Sequence, residues 1–352
     1  HLWSLLLLLE VSFALERSLI NIISHTDLDG VVAAAVAWHA LYPENAPLQI
    51  YLVGYGEVDN VVCDSIQSGR NVLILDLFCQ KRETIDLIDS FFEGEPPICF
   101  DHHETTLQRW GNRPWLKIDT SSCAAKVYYD WLMSQDLPVN VKDRLVVLSD
   151  IVKVANDRDL WLGQIPESRL WQAMITMCGP WSVLCRLLAN PSSSLTDGEH
   201  EATASFVKEQ EERFAEALKR VKRFGDELIV VGPELLQFGD ASDFCGLILD
   251  RSKNPPKVVA VANKKVTGEW AVSLRSRSGL AGKITGMLRD GKKIRGGGHG
   301  DAAALYFPPH YPLEQISESI LSAIDLISEQ EKPISMTLGE VLKSKLKQNE
   351  ES

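Results

Sequence analysis

Three short stretches carry side chains that can ligate a metal or move a proton, and each follows an apolar run of strand length. Ser24-His25-Thr26-Asp27-Leu28-Asp29-Gly30 follows the run at 19–23, Asp76 follows 71–75, and Asp101-His102-His103-Glu104-Thr105 follows 97–100. Carboxylate oxygen and imidazole nitrogen are both good ligands for divalent transition metals. A single Asp at a strand end is often the N-cap of the next helix. Three strand ends that bring acids, two of them with histidines, are not explained by capping alone. His25, Asp27 and Asp29 occupy alternate positions, which share one side of an extended segment, and Gly30 relieves the backbone where a helix begins.

The elements that must position these residues alternate along the chain. A further strand is predicted over 49–53, and helices over 31–42, 58–67 and 81–92. Repeated strand-helix alternation implies an α/β domain with a parallel sheet and helices on both faces. Ligands of such sheets bind beyond the carboxyl ends of the strands, where all of these side chains fall. Apolar helices follow over 141–154 and 171–189, and Pro191-Ser192-Ser193-Ser194 breaks the second. A charged helix over 197–224 reads as a connector. Strands at 227–231, 258–262, 270–274 and 303–307, with a helix at 279–288, then make a smaller α/β domain. The expected organisation is an N-terminal extension (1–16), a parallel-sheet domain (17–190), a helical connector (191–225) and a second domain (226–352), whose tail at 338–348 has helical apolar spacing.

With 352 residues, 45% apolar and 24% charged, the chain reads as a soluble protein of about two domains. A formal net charge of -12 opposes nonspecific attraction to long duplex nucleic acid or to an anionic membrane. Seven cysteines without C-x-x-C spacing suit a reducing, cytoplasmic setting better than disulfides or zinc. The leucine run at 5–9 lacks a positive flank and a small-residue cleavage site and is too short to span a bilayer. A short amphipathic helix without stable membrane insertion is expected there, with a signal peptide or anchor as the alternative. No Walker loop, G-x-S-x-G elbow or Rossmann fingerprint occurs.

A second cluster lies near the end, in Arg295-Gly296-Gly297-Gly298-His299-Gly300. Consecutive glycines let backbone N–H groups approach an anion, and Arg295 and His299 add donors. Between 257 and 299 ten Lys and Arg face only Glu269 and Asp290, an excess that attracts phosphate. Arg275 and Arg277 end a strand pattern beside Ser276 and Ser278, which makes them the better phosphate donors.

His-x-Asp-x-Asp-Gly at 25–30, Asp76, and Asp-His-His at 101–103 resemble the successive motifs of the DHH phosphoesterase superfamily. That superfamily includes manganese-dependent pyrophosphatases, RecJ-type exonucleases, nanoRNases and cyclic-dinucleotide phosphodiesterases. The glycine run followed by Asp301-Ala302-Ala303-Ala304 resembles the G-G-G-H motif of the DHH-associated domain, with Ala304 where glycine is common. The resemblance implies a fourth-motif Asp about fifty residues beyond the triplet. Asp157 is expected, at a turn after a helix ending near Asn156, with Asp150 as the alternative.

By the same resemblance, His25, Asp27 and Asp76 hold one divalent ion. Asp29, Asp76, His102 and Asp157 hold the second, so that Asp76 bridges. Mn²⁺ is implied, with Mg²⁺ or Co²⁺ as substitutes. Asp101 would orient His102, and His103 would touch the scissile phosphate or assist the leaving group. Arg275, Arg295, Gly296, Gly297, Gly298 and His299 would bind substrate across a cleft between the domains. The activity implied is a two-metal phosphodiesterase that converts very short oligonucleotides and linear dinucleotides to nucleoside 5′-monophosphates. Cyclic dinucleotides and 3′-phosphoadenosine 5′-phosphate are alternative substrates, and a non-catalytic nucleotide sensor is the reading from another class. A RecJ-type exonuclease would add a single-strand-binding domain, which the residues up to Ser352 do not supply. The expected partners are that substrate and, at most, a second copy of the chain.

Overall fold

The structure, a computed structural model, describes residues 19–42, 47–92, 96–237, 239–289, 293–298 and 300–331. The expectations for 1–16, for 338–348 and for His299 lie outside the described residues. Two compact units divide between Gln210 and Glu211.

The first unit begins with β1 (Ile20–Ser24), α1 (Leu28–Leu41), β2 (Leu48–Leu52), α2 (Val58–Gln67), β3 (Asn71–Leu75), α3 (Arg82–Phe91), β4 (Cys99–Asp101), α4 (Glu104–Trp110) and β5 (Leu116–Ile118). The strands form a parallel sheet in the order β2-β1-β3-β4-β5, with Ile22 of β1 opposite both Ile50 and Leu73. Every residue of β1 is buried, as expected of a central parallel strand covered on both faces. Among the described residues the unit continues with the helices α5 (Ala124–Met133), α6 (Val139–Val146), α7 (Ser149–Asp159), α8 (Glu167–Cys178) and α9 (Pro180–Ala189). The alanine-rich α1 is buried at every position but Trp38, because it packs against the sheet and also against α5, α6, α7 and α9. A helix apolar all round belongs in such a place.

Three local expectations are corrected. The predicted helix over 171–189 is two helices, broken where Gly179 adopts φ 82° and Pro180 takes the first position of α9. The predicted helix over 141–154 is also two, α6 and α7. The second of these runs past Asn156 to Asp159, so Asp157 lies within a helix and not at an exposed turn. No described helix is long and apolar enough to cross a membrane.

The helix α10 (Asp197–Arg220) spans the division between the units. It stops short of the expected 224 because 222–224 turns through Gly225 (φ 56°) and pairs as a strand. The second unit contains β6 (Lys222–Phe224), β7 (Leu228–Val231), α11 (Asp240–Arg251), β8 (Val258–Lys264), β9 (Trp270–Ser276), α12 (Leu280–Leu288), β10 (Arg295–Gly298), β11 (Ala302–Phe307) and α13 (Leu313–Gln330). Its mixed sheet has the order β10-β11-β9-β8-β7-β6, with β7 and β8 parallel and the other pairs antiparallel. Alternate strand residues serve two cores. Leu228 and Val230 pack with Ile284 and Ile320, while Ile229 and Val231 pack with Phe244 and Ile248.

Candidate metal centre

Adjacent parallel strands deliver the candidate ligands. His25 and Asp27 follow β1, Asp76 follows β3, and Asp101, His102 and His103 end or follow β4; these strands are neighbours in the sheet, about 4.8 Å apart. Gly30 is needed here for space. A Cβ on it would stand 2.4 Å from the His25 carbonyl oxygen, so the first turn of α1 rests directly on the His25 backbone. Asp27 is the N-cap of α1, and its Oδ1 accepts from Gly30 N at 3.0 Å. Its Oδ2 lies 2.9 Å from His25 Nδ1.

Asp76 sits at the middle of the group. It is buried, and its φ of 63° lies in the left-handed region that non-glycine residues rarely adopt. Its backbone N donates to Phe100 O at 3.0 Å, which holds this strained residue against β4. Asp76 Oδ2 lies 3.7 Å from His25 Nδ1, and Oδ1 lies 3.3 Å from His102 Nε2. His102 Nε2 is also 3.5 Å from Asp159 Oδ2 and 3.7 Å from Asp29 Oδ2. The donors of His25, Asp27 and Asp76 gather within 4.8 Å, as do those of Asp29, His102 and Asp159.

The electrostatics show excess negative charge. Burial, reinforced by Asp27 and Asp29, holds the Asp76 carboxyl well above the ordinary carboxylate range. Burial and the Asp29 carboxylate push Asp159 up to about 7. Burial opposes charge on His25, but Asp27 and Asp76 outweigh it and raise the imidazole to about 11. Asp76 Oδ2 is buried without a hydrogen-bond partner, a costly arrangement for a carboxylate. Two imidazoles among four carboxylates, with one buried oxygen unsatisfied, fit divalent cations.

The fourth-motif expectation is corrected by this geometry. Asp157 is buried and belongs to none of these donor groups, accepting from Gln164 N (2.7 Å) and Ile165 N (3.2 Å) at Oδ1 and from Ser168 Oγ (2.7 Å) at Oδ2. Asp150 is exposed and paired with Lys153 at 2.9 Å. The structure places Asp159 beside His102. The periodicity of α7 holds the signal, since Val152, Ala155 and Asp159 lie on one stripe and Asp157, two residues before Asp159, points elsewhere. Asp101 also differs from expectation. Its Oδ1 holds the His103 ring through Nδ1 at 2.7 Å and meets His102 through the backbone N at 2.8 Å. Burial opposes its charge, but His103 outweighs that and lowers the carboxyl to about 2. Asp29 is at once a neighbour of His102 and a cap, accepting from Ala124 N and Ala125 N, both at 2.7 Å, at the start of α5.

No family model and no curated protein matches the chain. Solved structures do. An exonuclease RecJ bound to manganese superposes with a TM-score of 0.59 at 14% identity, covering 95% of this chain and 96% of that one. RecJ from Thermus thermophilus in complex with Mn²⁺ gives 0.53 at 14% identity over 89% of this chain, which spans 52% of that protein. The pGpG-specific phosphodiesterase PggH from Vibrio cholerae gives 0.50 at 13% identity, covering 87% and 99%. The chain shares the fold of these RecJ and PggH structures.

The glycine run of the second unit is the edge strand β10, with Gly296 opposite Leu305 and Gly297 opposite Ala304. A Cβ on Gly296 would meet Ala304 O at 2.8 Å and Thr285 Cγ2 at 2.9 Å, so that glycine serves packing; the space beside Gly297 is open. Arg295 is paired with Glu269 and lies over the Tyr306 ring. Arg275 is half-buried at the end of β9, its Nη1 donating to Leu274 O at 3.0 Å.

Proposed function

We propose that this chain is a two-metal phosphodiesterase that hydrolyses very short oligonucleotides and linear dinucleotides to nucleoside 5′-monophosphates. The observation that carries this reading is the division of Asp76, whose Oδ2 faces His25 and whose Oδ1 faces His102. One ion would be held by His25, Asp27 and Asp76, the other by Asp76, His102, Asp159 and Asp29. When bound, two divalent ions activate water and offset charge on the attacking and leaving oxygens of an in-line displacement. Imidazole ligands favour Mn²⁺ over Mg²⁺, and Co²⁺ suits the same donors.

The chain's own residues supply orientation and the proton. Asp101 accepts the Nδ1 proton of His103, which leaves Nε2 as the exchanging nitrogen. Water gives up a proton to solvent as its oxygen bonds to phosphorus, the bond from phosphorus to the 3′ oxygen breaks, and that oxygen takes a proton held at His103 Nε2. The released nucleotide keeps its 5′-phosphate. Arg275, Arg295, Gly296, Gly297, Gly298 and His299 are proposed to hold the rest of the substrate. The likeness to a pGpG-specific enzyme supports the dinucleotide.

The test is metal analysis with a length series. Parent protein should hold about two Mn²⁺ per chain and Asp76→Ala none. Rates should be highest from the dinucleotide to the five-mer, and lower on the ten-mer, on cyclic dinucleotides and on 3′-phosphoadenosine 5′-phosphate. Full activity after chelation refutes the metal reading, and a flat length profile refutes the substrate.

A further inference from the structure

Tyr55 belongs to none of the motifs above, yet its side chain reaches the site. It lies in the turn after β2, the edge strand, between Gly54 and Gly56. The turn is closed on itself. Glu57 N and Val58 N donate to Gly54 O at 3.0 and 3.2 Å, and Gly54 N donates to Glu57 Oε2 at 3.2 Å. Val53 N donates to Ser24 O at 2.9 Å, which ties the turn to the residue before His25.

From this base the Tyr55 ring lies 5.6 Å from the His25 ring and 6.2 Å, edge-on, from the His103 ring. Its hydroxyl is 3.5 Å from His103 Nε2. Strands β1 and β3 stand between β2 and β4. A side chain from the β2 turn that meets both His25 and His103 therefore crosses the carboxyl edge of the sheet, from the first ligand group to the Asp101–His103 pair.

We propose that Tyr55 is a positioning residue of the hydrolytic site, its hydroxyl holding His103 Nε2 in the direction from which a proton reaches the leaving oxygen. The inference rests on the phosphodiesterase reading. His103 Nδ1 is engaged by Asp101 at 2.7 Å, so in the neutral ring Nε2 accepts and the phenol donates. In the protonated ring Nε2–H donates to the phenol oxygen until a phosphate oxygen replaces it. A phenol serves both states because it donates and accepts. The contact is long, as such bonds often are before substrate tightens them.

Tyr55→Phe keeps the ring and removes the hydroxyl. In metal-free protein, carbethoxylation of His103 by diethyl pyrocarbonate, located by mass spectrometry, should rise about three- to tenfold in the variant. Labelling of the buried His39, which reports loss of fold, should not change. In Mn²⁺-loaded protein acting on a linear dinucleotide, kcat should fall about ten- to a hundredfold, with KM within about twofold and metal content unchanged. Parent-like His103 labelling, or a parent-like kcat, overturns the inference. A parent protein that cleaves no phosphodiester refutes the reading of the site, and the labelling then decides alone on the Tyr55–His103 contact.

Discussion

Replacing Asp157 and Asp159 one at a time separates a carboxylate that the fold uses from one that the proposed metal centre would use. Asp157 is 2% exposed and accepts three hydrogen bonds that close residues 164–168 against the end of α7. Hydrogen bonds to a charged group contribute about 1.5–3 kcal/mol each, and their losses are not additive once water enters. Asp157→Ala should therefore cost about 3–4 kcal/mol, the upper part of the range for single substitutions. For a unit of this size that lowers the melting temperature by about 10 °C. The folded fraction should keep its full metal content.

Asp159→Ala should do the reverse. Burial and the neighbouring Asp29 already disfavour its charge, so removing it relieves repulsion in the metal-free protein. Metal-free stability should hold or rise, by up to about 2 kcal/mol, while one of the two ions is lost. Asp150→Ala breaks an exposed pair with Lys153 and should change stability by less than about 0.5 kcal/mol. Thermal melts with chelator and metal analysis of the purified variants read all three. An Asp157 variant that melts normally but loses metal, or an Asp159 variant that keeps both ions, would refute the assignment.

Gly30→Ala should reduce bound Mn²⁺ and destabilise the first unit by about 2–3 kcal/mol, because the new Cβ would meet the backbone of His25 at 2.4–2.7 Å; a normal melt with full metal content would contradict this. His39 is buried, its Nε2 donates to Leu187 O at 2.9 Å, and burial, with Arg144 nearby, lowers its pKa below the ordinary 6.5. The unfolded chain then binds the extra proton first, so stability is fully present above pH 6.5 and falls below it, by up to about 1.4 kcal/mol per pH unit; denaturation of His39→Gln in chelator should lack that slope. Asp301 Oδ1 accepts from Ser276 Oγ at 2.8 Å and from Gly279 N at 2.7 Å, pinning a turn in which Gly279 adopts φ 73°. Asp301→Ala should raise KM for the dinucleotide about tenfold with Mn²⁺ content unchanged, and an unchanged KM would exclude a role in substrate binding.

The first sheet was legible because β1 and β3 are largely apolar and each is followed directly by a candidate ligand, so a run of residues showed the strand and the residue after it showed the candidate site. Elements without such a period escaped. β5 has three residues, and α11 buries Asp240 and Asp243 among its apolar positions. What misled within the site was polar residues whose partners arrive from elsewhere in the chain. Asn156 and Asp157 read as a helix end, yet Asn156 Oδ1 accepts from Cys123 N and Asp157 clasps 164–168, so both belong inside α7. Asp29 likewise caps a helix that begins ninety-five residues later. The basic excess over 257–299 is subject to the same limit, since acids outside that window neutralise part of it: Glu227 pairs with Lys257, Asp250 with Arg277, and Glu331 with Lys283. Within the window Glu269 takes both Lys265 and Arg295. No ion pair among the described residues involves Lys264, Arg275 or Arg289, and of these Arg275 is the half-buried one, at the end of β9. A count of charges along a chain measures attraction to phosphate only after the pairs made in space are removed, and here that subtraction halves the cluster.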